Sequence, residues 1–184
     1  LNLRPLYKGR KKVEKMVKIN YKLYKEFLDK LLDSLMDRLQ EEKIISCALF
    51  GSVARGEAKP YSDIDLLIVC QKRSAKSMKK FVKVLFKLEE TKEYKKLVSM
   101  GLHPDPYPIF VTPEELSKNP LILLDILDHG IILYDRKNFL KGKLQKFKEK
   151  LKQLGARKLT FEDGSWAWDL KPDWRPGEVI EIEI

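Results

Sequence analysis

Two cysteines in a chain of 184 residues cannot make a disulfide framework. Both Cys47 and Cys70 lie inside apolar runs, where a small buried side chain is the expected role. The two histidines, His103 and His129, stand alone, so no His/Cys metal cluster is spelled out. No apolar run approaches the roughly 18 residues that span a bilayer, and the opening "LNLRPLYKGRKK" lacks the apolar stretch of a signal peptide. The expectation is therefore a cytoplasmic protein with no membrane partner. Internal repeats and low-complexity linkers are also missing, which favours one compact domain overall.

Charge is plentiful. Lys and Arg number 37 against 27 Asp and Glu, a net charge of +10, which suits a polyanionic partner. Because the basic residues are spread through several helices, a solvated surface accounts for them equally well. The 43% hydrophobic content is enough for a real core at this length.

Periodicity organises the chain. Residues 1–12 read as a basic arm, and 13–42 as an amphipathic helix whose stripe is Tyr24, Phe27, Leu28, Leu31, Leu32, Leu35 and Leu39. "IISCALF" (44–50) and "DIDLLIV" (63–69) read as strands joined through Gly51, Gly56 and Pro60. A helix after Ser74 buries Phe81, Val84, Leu85 and Leu88. A third strand, "PIFVT" (108–112), leads into a capping box of Thr112, Pro113 and Glu115. One helix is then expected to run to His129 and stop at Gly130. "IILYD" is a fourth strand, and a helix over 138–154 ends at Gly155. In the tail, "SWAWDL" and "VIEIEI" alternate at period two, the second in the manner of an edge strand. The fold class is α+β: a mixed sheet with helices packed mainly on one side, plus a C-terminal helix and β tail.

The stretch "GSVARGEAKPYSDIDLLIV" (51–69) carries the chemistry. Residues two apart on a strand share a face, with Cα atoms about 6–7 Å apart, so Asp63 and Asp65 can converge on divalent cations. Two Mg²⁺ ions about 3.5–4 Å apart could then grip triphosphate oxygens and activate an attacking hydroxyl. Gly51, directly after a strand, lets the backbone turn and approach a phosphate without a Cβ in the way. Ser52 offers a hydroxyl and an N–H, and Arg55 can reach a phosphate or an acid. The Gly-Lys-Ser/Thr ending of a Walker-type loop is absent.

Together, Gly51-Ser52, Arg55-Gly56 and Ser62-Asp63-Ile64-Asp65 before an apolar strand resemble the nucleotidyltransferase superfamily typified by DNA polymerase beta, and most of all its small minimal members. The resemblance implies Mg²⁺-dependent transfer of a nucleoside monophosphate from an NTP, ATP being the first candidate, to a hydroxyl, with release of pyrophosphate. It further implies that Gly51 and Ser52, with Arg55, bind the nucleotide, and that Asp63 and Asp65 hold two metal ions. On this basis 1–43 is the arm and first helix, 44–134 the nucleotidyltransferase core, and 135–184 a C-terminal helix and β extension.

One expected part is missing from its place. The family's third carboxylate falls on Ile109 in "PYPIFVTP". Asp105, four residues upstream, is the candidate replacement, but on an extended strand it is about 13 Å away. Two readings therefore stay open: an active transferase, or a weak or inactive one serving as a nucleotide- or RNA-binding or antitoxin-like partner subunit. The acceptor is unnamed by the sequence and could be RNA, protein or a small molecule. The basic N-terminal region could grip nucleic acid, and Tyr107 could stack on a base. For Trp166 and Trp168 core packing is the stronger reading, and a homodimer is compatible with the long first helix.

Overall fold

A computed structural model describes residues 18–118, 121–180 and 182. The basic arm and the first residues of the expected first helix lie outside the described residues. Helix α1 (Tyr21–Arg38) begins at Asn20, whose side chain accepts the Lys22 N–H at 2.9 Å. Its expected stripe is buried, with Leu32 only partly so.

Strand β1 (Ile44–Phe50) leads through the five-residue helix α2 (Gly51–Arg55) into β2 (Ile64–Cys70). Helices α3 (Ala75–Leu88) and α4 (Lys92–Ser99) then carry the chain across to β3 (Pro106–Val111). Next come α5 (Pro113–Lys118), α6 (Ile122–His129), β4 (Ile131–Asp135) and α7 (Phe139–Gln153). The sheet order is β3-β2-β1-β4; β2–β3 is parallel, and β1 runs antiparallel to both β2 and β4. The sheet is mixed, as expected.

The helices are not mainly on one side. Alternation along β2 divides its residues between two cores. Ile64, Leu66, Ile68 and Cys70 pack with α1, α3 and α4, while Leu67 and Val69 pack with Leu116, Leu123, Ile126, Leu140 and Phe147 of α5, α6 and α7. A strand that is apolar at nearly every position, as β2 is after Asp65, needs cover on both faces. Cys47 and Cys70 are free and buried, and burial pushes their thiols up to about 12 and about 11.

The capping box at α5 is present: Thr112 N–H donates to Glu115 at 2.8 Å, and Glu115 N–H donates to Thr112 Oγ1 at 3.2 Å. The expected single helix to His129 is instead two, α5 and α6. Proline at 120 has no N–H with which to continue a helical ladder. On β3, Asp105 C=O accepts from Ile64 N–H, so Pro106 and Pro108 alternate outward and leave the open edge short of donors.

The tail forms a separate hairpin of β5 (Arg157–Thr160) and β6 (Trp166–Asp169). Trp168 packs against the α6–α7 core, and Trp166 lies under the Lys158 ammonium at 4.5 Å. The expected strand over 179–184 is corrected where it is described: residues 179, 180 and 182 are not in a strand. Glu178 is tied back to Lys171 and to Arg175 N–H, and its carbonyl accepts from Trp174 Nε1, so this segment turns on itself rather than along a neighbouring strand. No helix among the described residues is long and apolar enough to cross a membrane.

Candidate functional site

The chemistry gathers where β1 ends and β2 begins. Phe50, the last residue of β1, pairs with Asp65, and Asp65 pairs on its other side with Tyr107 of β3. Directly after Phe50 the backbone turns at Gly51, whose φ of +71° suits glycine and strains any other residue. A Cβ at Gly51 would overlap the Asp65 carboxylate, so the turn and the acid are in contact. Gly56, at φ +72°, caps α2 at its other end.

Alternation puts Asp65 on the same face of the sheet as Leu67 and Val69, the face covered by α6. There it meets a residue the sequence reading missed. Asp125 of α6 accepts the Gly51 N–H at 3.1 Å and forks onto Arg55 Nη1 at 2.9 and 3.1 Å. Arg55 also donates through Nε to Glu57 at 2.9 Å. Burial pulls the Arg55 guanidinium down, but Glu57 and Asp125 together outweigh it and hold it above its ordinary value. Ser52 Oγ, half-buried beside this turn, has no hydrogen-bond partner among the described residues.

Asp65 is under opposite stress. Burial raises its carboxyl first, then the charges of Asp63 and Asp125 raise it further, with Arg55 pulling the other way. Added positive charge beside Asp65 would favour its ionised form. The pair Asp63–Asp65 therefore suits a divalent cation.

Asp105 lies beside the start of β2, its C=O accepting from Ile64 N–H at 2.9 Å, and it is not among the charges that shift Asp65. It lines a cavity with Phe27, Leu85, Glu89 and Tyr94 on the α1–α3–α4 face, and its charge helps raise the Tyr94 hydroxyl. Ile109 stands beside Leu67, two residues deeper than Asp65, and packs into the α6–α7 core. The position in register with Asp65 belongs to Tyr107, 62% exposed. Asp125 left one trace in the sequence: a lone acid among the apolar residues of "ILLDIL". Nothing there says that its partners are a glycine N–H and an arginine some 70 residues earlier.

A glycine turn pressed against Asp65, with Asp63 two residues before it, thus stands at the joint between two antiparallel strands of a mixed sheet. The chain belongs to the nucleotidyltransferase domain family, whose model matches residues 28–174. A protein of Methanocaldococcus jannaschii named "Putative protein adenylyltransferase MJ1305" is 33% identical over 152 residues, covering 81% of this chain and 95% of that protein. Among solved structures, a toxin–antitoxin MntA–HpeT mutant complex has a TM-score of 0.42 at 19% identity, over 68% of this chain and 89% of that one. A tri-AMPylated Shewanella oneidensis HEPN toxin in complex with MNT antitoxin has a TM-score of 0.36 at 16% identity, over 70% and 90% of the two chains. Likenesses at this level carry no functional inference.

Proposed function

We propose that the protein transfers adenosine monophosphate from ATP to a hydroxyl group on another protein, releasing pyrophosphate. The observation that carries this reading is the contact between the Gly51 turn and the Asp65 carboxylate, with Asp63 adjacent in charge. The choice of adenylate and of a protein acceptor is supported by the 33% identity to the M. jannaschii protein and its name. Asp63 and Asp65 would hold Mg²⁺, which supplies positive charge to triphosphate oxygens when bound.

The chain's own residues do the rest. Gly51, buried with its N–H on Asp125, makes the turn without a side chain that would displace Asp65, and Ser52 next to it offers its unpartnered hydroxyl to a phosphate. Asp125 holds the Arg55 guanidinium beside the turn through Nη1, which donates to both carboxylate oxygens while Gly51 N–H donates to one of them. In the transfer, the acceptor oxygen bonds to the α-phosphorus while the bond to the α–β bridging oxygen breaks, and the bond electrons leave with pyrophosphate. The acceptor's proton passes to a nearby carboxylate or to water.

A second reading has one observation in its favour. On β3 the residue beside Asp65 is Tyr107 rather than an acid, which fits a subunit that binds nucleotide and transfers slowly or not at all. ATP labelled at the α-phosphate separates the two. Covalent label on added protein, dependent on Mg²⁺ and lost in Asp63→Asn, supports transfer. Nucleotide binding without any label transfer supports the second reading.

A further inference from the structure

Helix α3 leaves an apolar row in water. Met78, Val82 and Phe86 fall at four-residue steps and are 46%, 39% and 65% exposed, although the same helix buries Phe81, Val84 and Leu88 on its inner face. Single exposed apolar residues need no explanation, but a row of three along one helix marks a contact surface. One position on, Lys79, Lys83 and Lys87 form a parallel row, all exposed. Nearby lysines are paired: Lys80 bridges to Glu41 and Glu42, Lys96 to Glu26, and Lys25 to Asp29. The three of the row have no acidic partner among the described residues.

The complementary charge lies next to it. Helix α1 packs against α3 and exposes Asp33 and Asp37, also at a four-residue step and also without ion-pair partners among the described residues. The two helices border one groove of about 480 Å³, which Asp37, Lys83, Phe86 and Lys87 line together, with Ser34, Arg38 and Val84. Phe86 of the apolar row, Lys83 and Lys87 of the cationic row, and Asp37 of the anionic pair thus meet in one groove. A two-fold contact presents the same patch from both partners, so a surface carrying both signs side by side can complement itself.

We infer that this α1–α3 surface is the interface of a homodimer. A second copy sets each Lys79–Lys83–Lys87 row against the partner's acidic row on α1 and removes Met78, Val82 and Phe86 from water. An anionic membrane or an RNA would use the lysines but leave Asp33 and Asp37 opposed to it, which makes a second copy the better fit. The surface is distinct from the Gly51–Asp65 site, and the inference does not rest on the transfer activity.

Sedimentation equilibrium of the full chain tests it, with helical content checked by circular dichroism for every variant. The wild type is expected to dimerise at micromolar protein, and Phe86→Glu to weaken the dimer by about tenfold or more. Lys83→Glu with Lys87→Glu should weaken it too, and adding Asp33→Lys and Asp37→Lys to that variant should restore it. A monomer at all concentrations overturns the inference. So does a dimer indifferent to Phe86→Glu, or a charge swap without rescue.

Discussion

The Asp65 carboxylate fills the space in which a side chain on Gly51 would have to stand. The turn and the acid are thus one packed unit: β1 delivers the glycine, β2 delivers the aspartate, and the Phe50–Asp65 pairing fixes their separation.

Gly51→Ala should therefore harm the site twice. At φ +71° an alanine costs roughly 1–2 kcal/mol in the backbone, and its methyl displaces Asp65. The expected result is a folded protein whose melting temperature falls by about 2–4 °C per kcal/mol and whose Mg²⁺-dependent ATP binding is lost. Thermal melts with and without Mg²⁺–ATP read both effects.

Asp65 gives a pH signature. Its folded carboxyl is raised by burial and by Asp63 and Asp125, so the folded state holds the proton more tightly than the unfolded state does. The favourable contribution is present at pH below the ordinary carboxylate value and is lost as pH rises through the raised one. Above that, ionised Asp65 costs stability. Metal-free Asp65→Asn should accordingly melt higher than wild type at neutral pH, and the difference should shrink as pH falls through the acid range. Added Mg²⁺ should stabilise wild type and leave the variant unmoved.

Arg55 and Asp125 are joined by a forked bond, with about a fifth of each side chain exposed (20% and 22%). A double-mutant cycle with Arg55→Ala and Asp125→Ala should show a coupling of roughly 1–3 kcal/mol in denaturant unfolding. Coupling near zero would mean that the fork does not hold Arg55 at the turn.

Asp105→Asn should leave Mg²⁺-dependent ATP binding unchanged, because the residue lines the cavity with Tyr94 and its charge does not reach Asp65. Lost binding in that variant would mean that Asp105, one backbone hydrogen bond from Ile64, takes part in the site. Isothermal calorimetry on the variant decides it.

Much of this was legible in the residues. β1, β2 and the turn between them follow from two apolar β-rich runs broken by Gly51, Gly56 and Pro60, and the α5 start follows from Thr112 and Glu115. Those features are local, and local chemistry decides them. One failure is local, the break between α5 and α6 at a proline that the sequence spells out; the others are long-range. Asp125 reaches Gly51 only through the packing of α6 on β1, which no spacing encodes. The second helical layer was missed because the run from Leu66 to Cys70 is buried on both faces, and a continuous apolar run carries no period to show it. "VIEIEI" has a strand's alternation, yet its described residues find no strand to pair with, and alternation alone cannot supply one.

The central claim is that Asp63 and Asp65 hold a metal–triphosphate complex against the Gly51 turn. Calorimetric titration of a non-hydrolysable ATP analogue, with and without Mg²⁺, into wild type and Asp63→Asn tests it most directly. Binding that needs Mg²⁺ and vanishes in Asp63→Asn is the predicted result. Binding of equal strength without Mg²⁺, or undiminished in Asp63→Asn, would contradict the account.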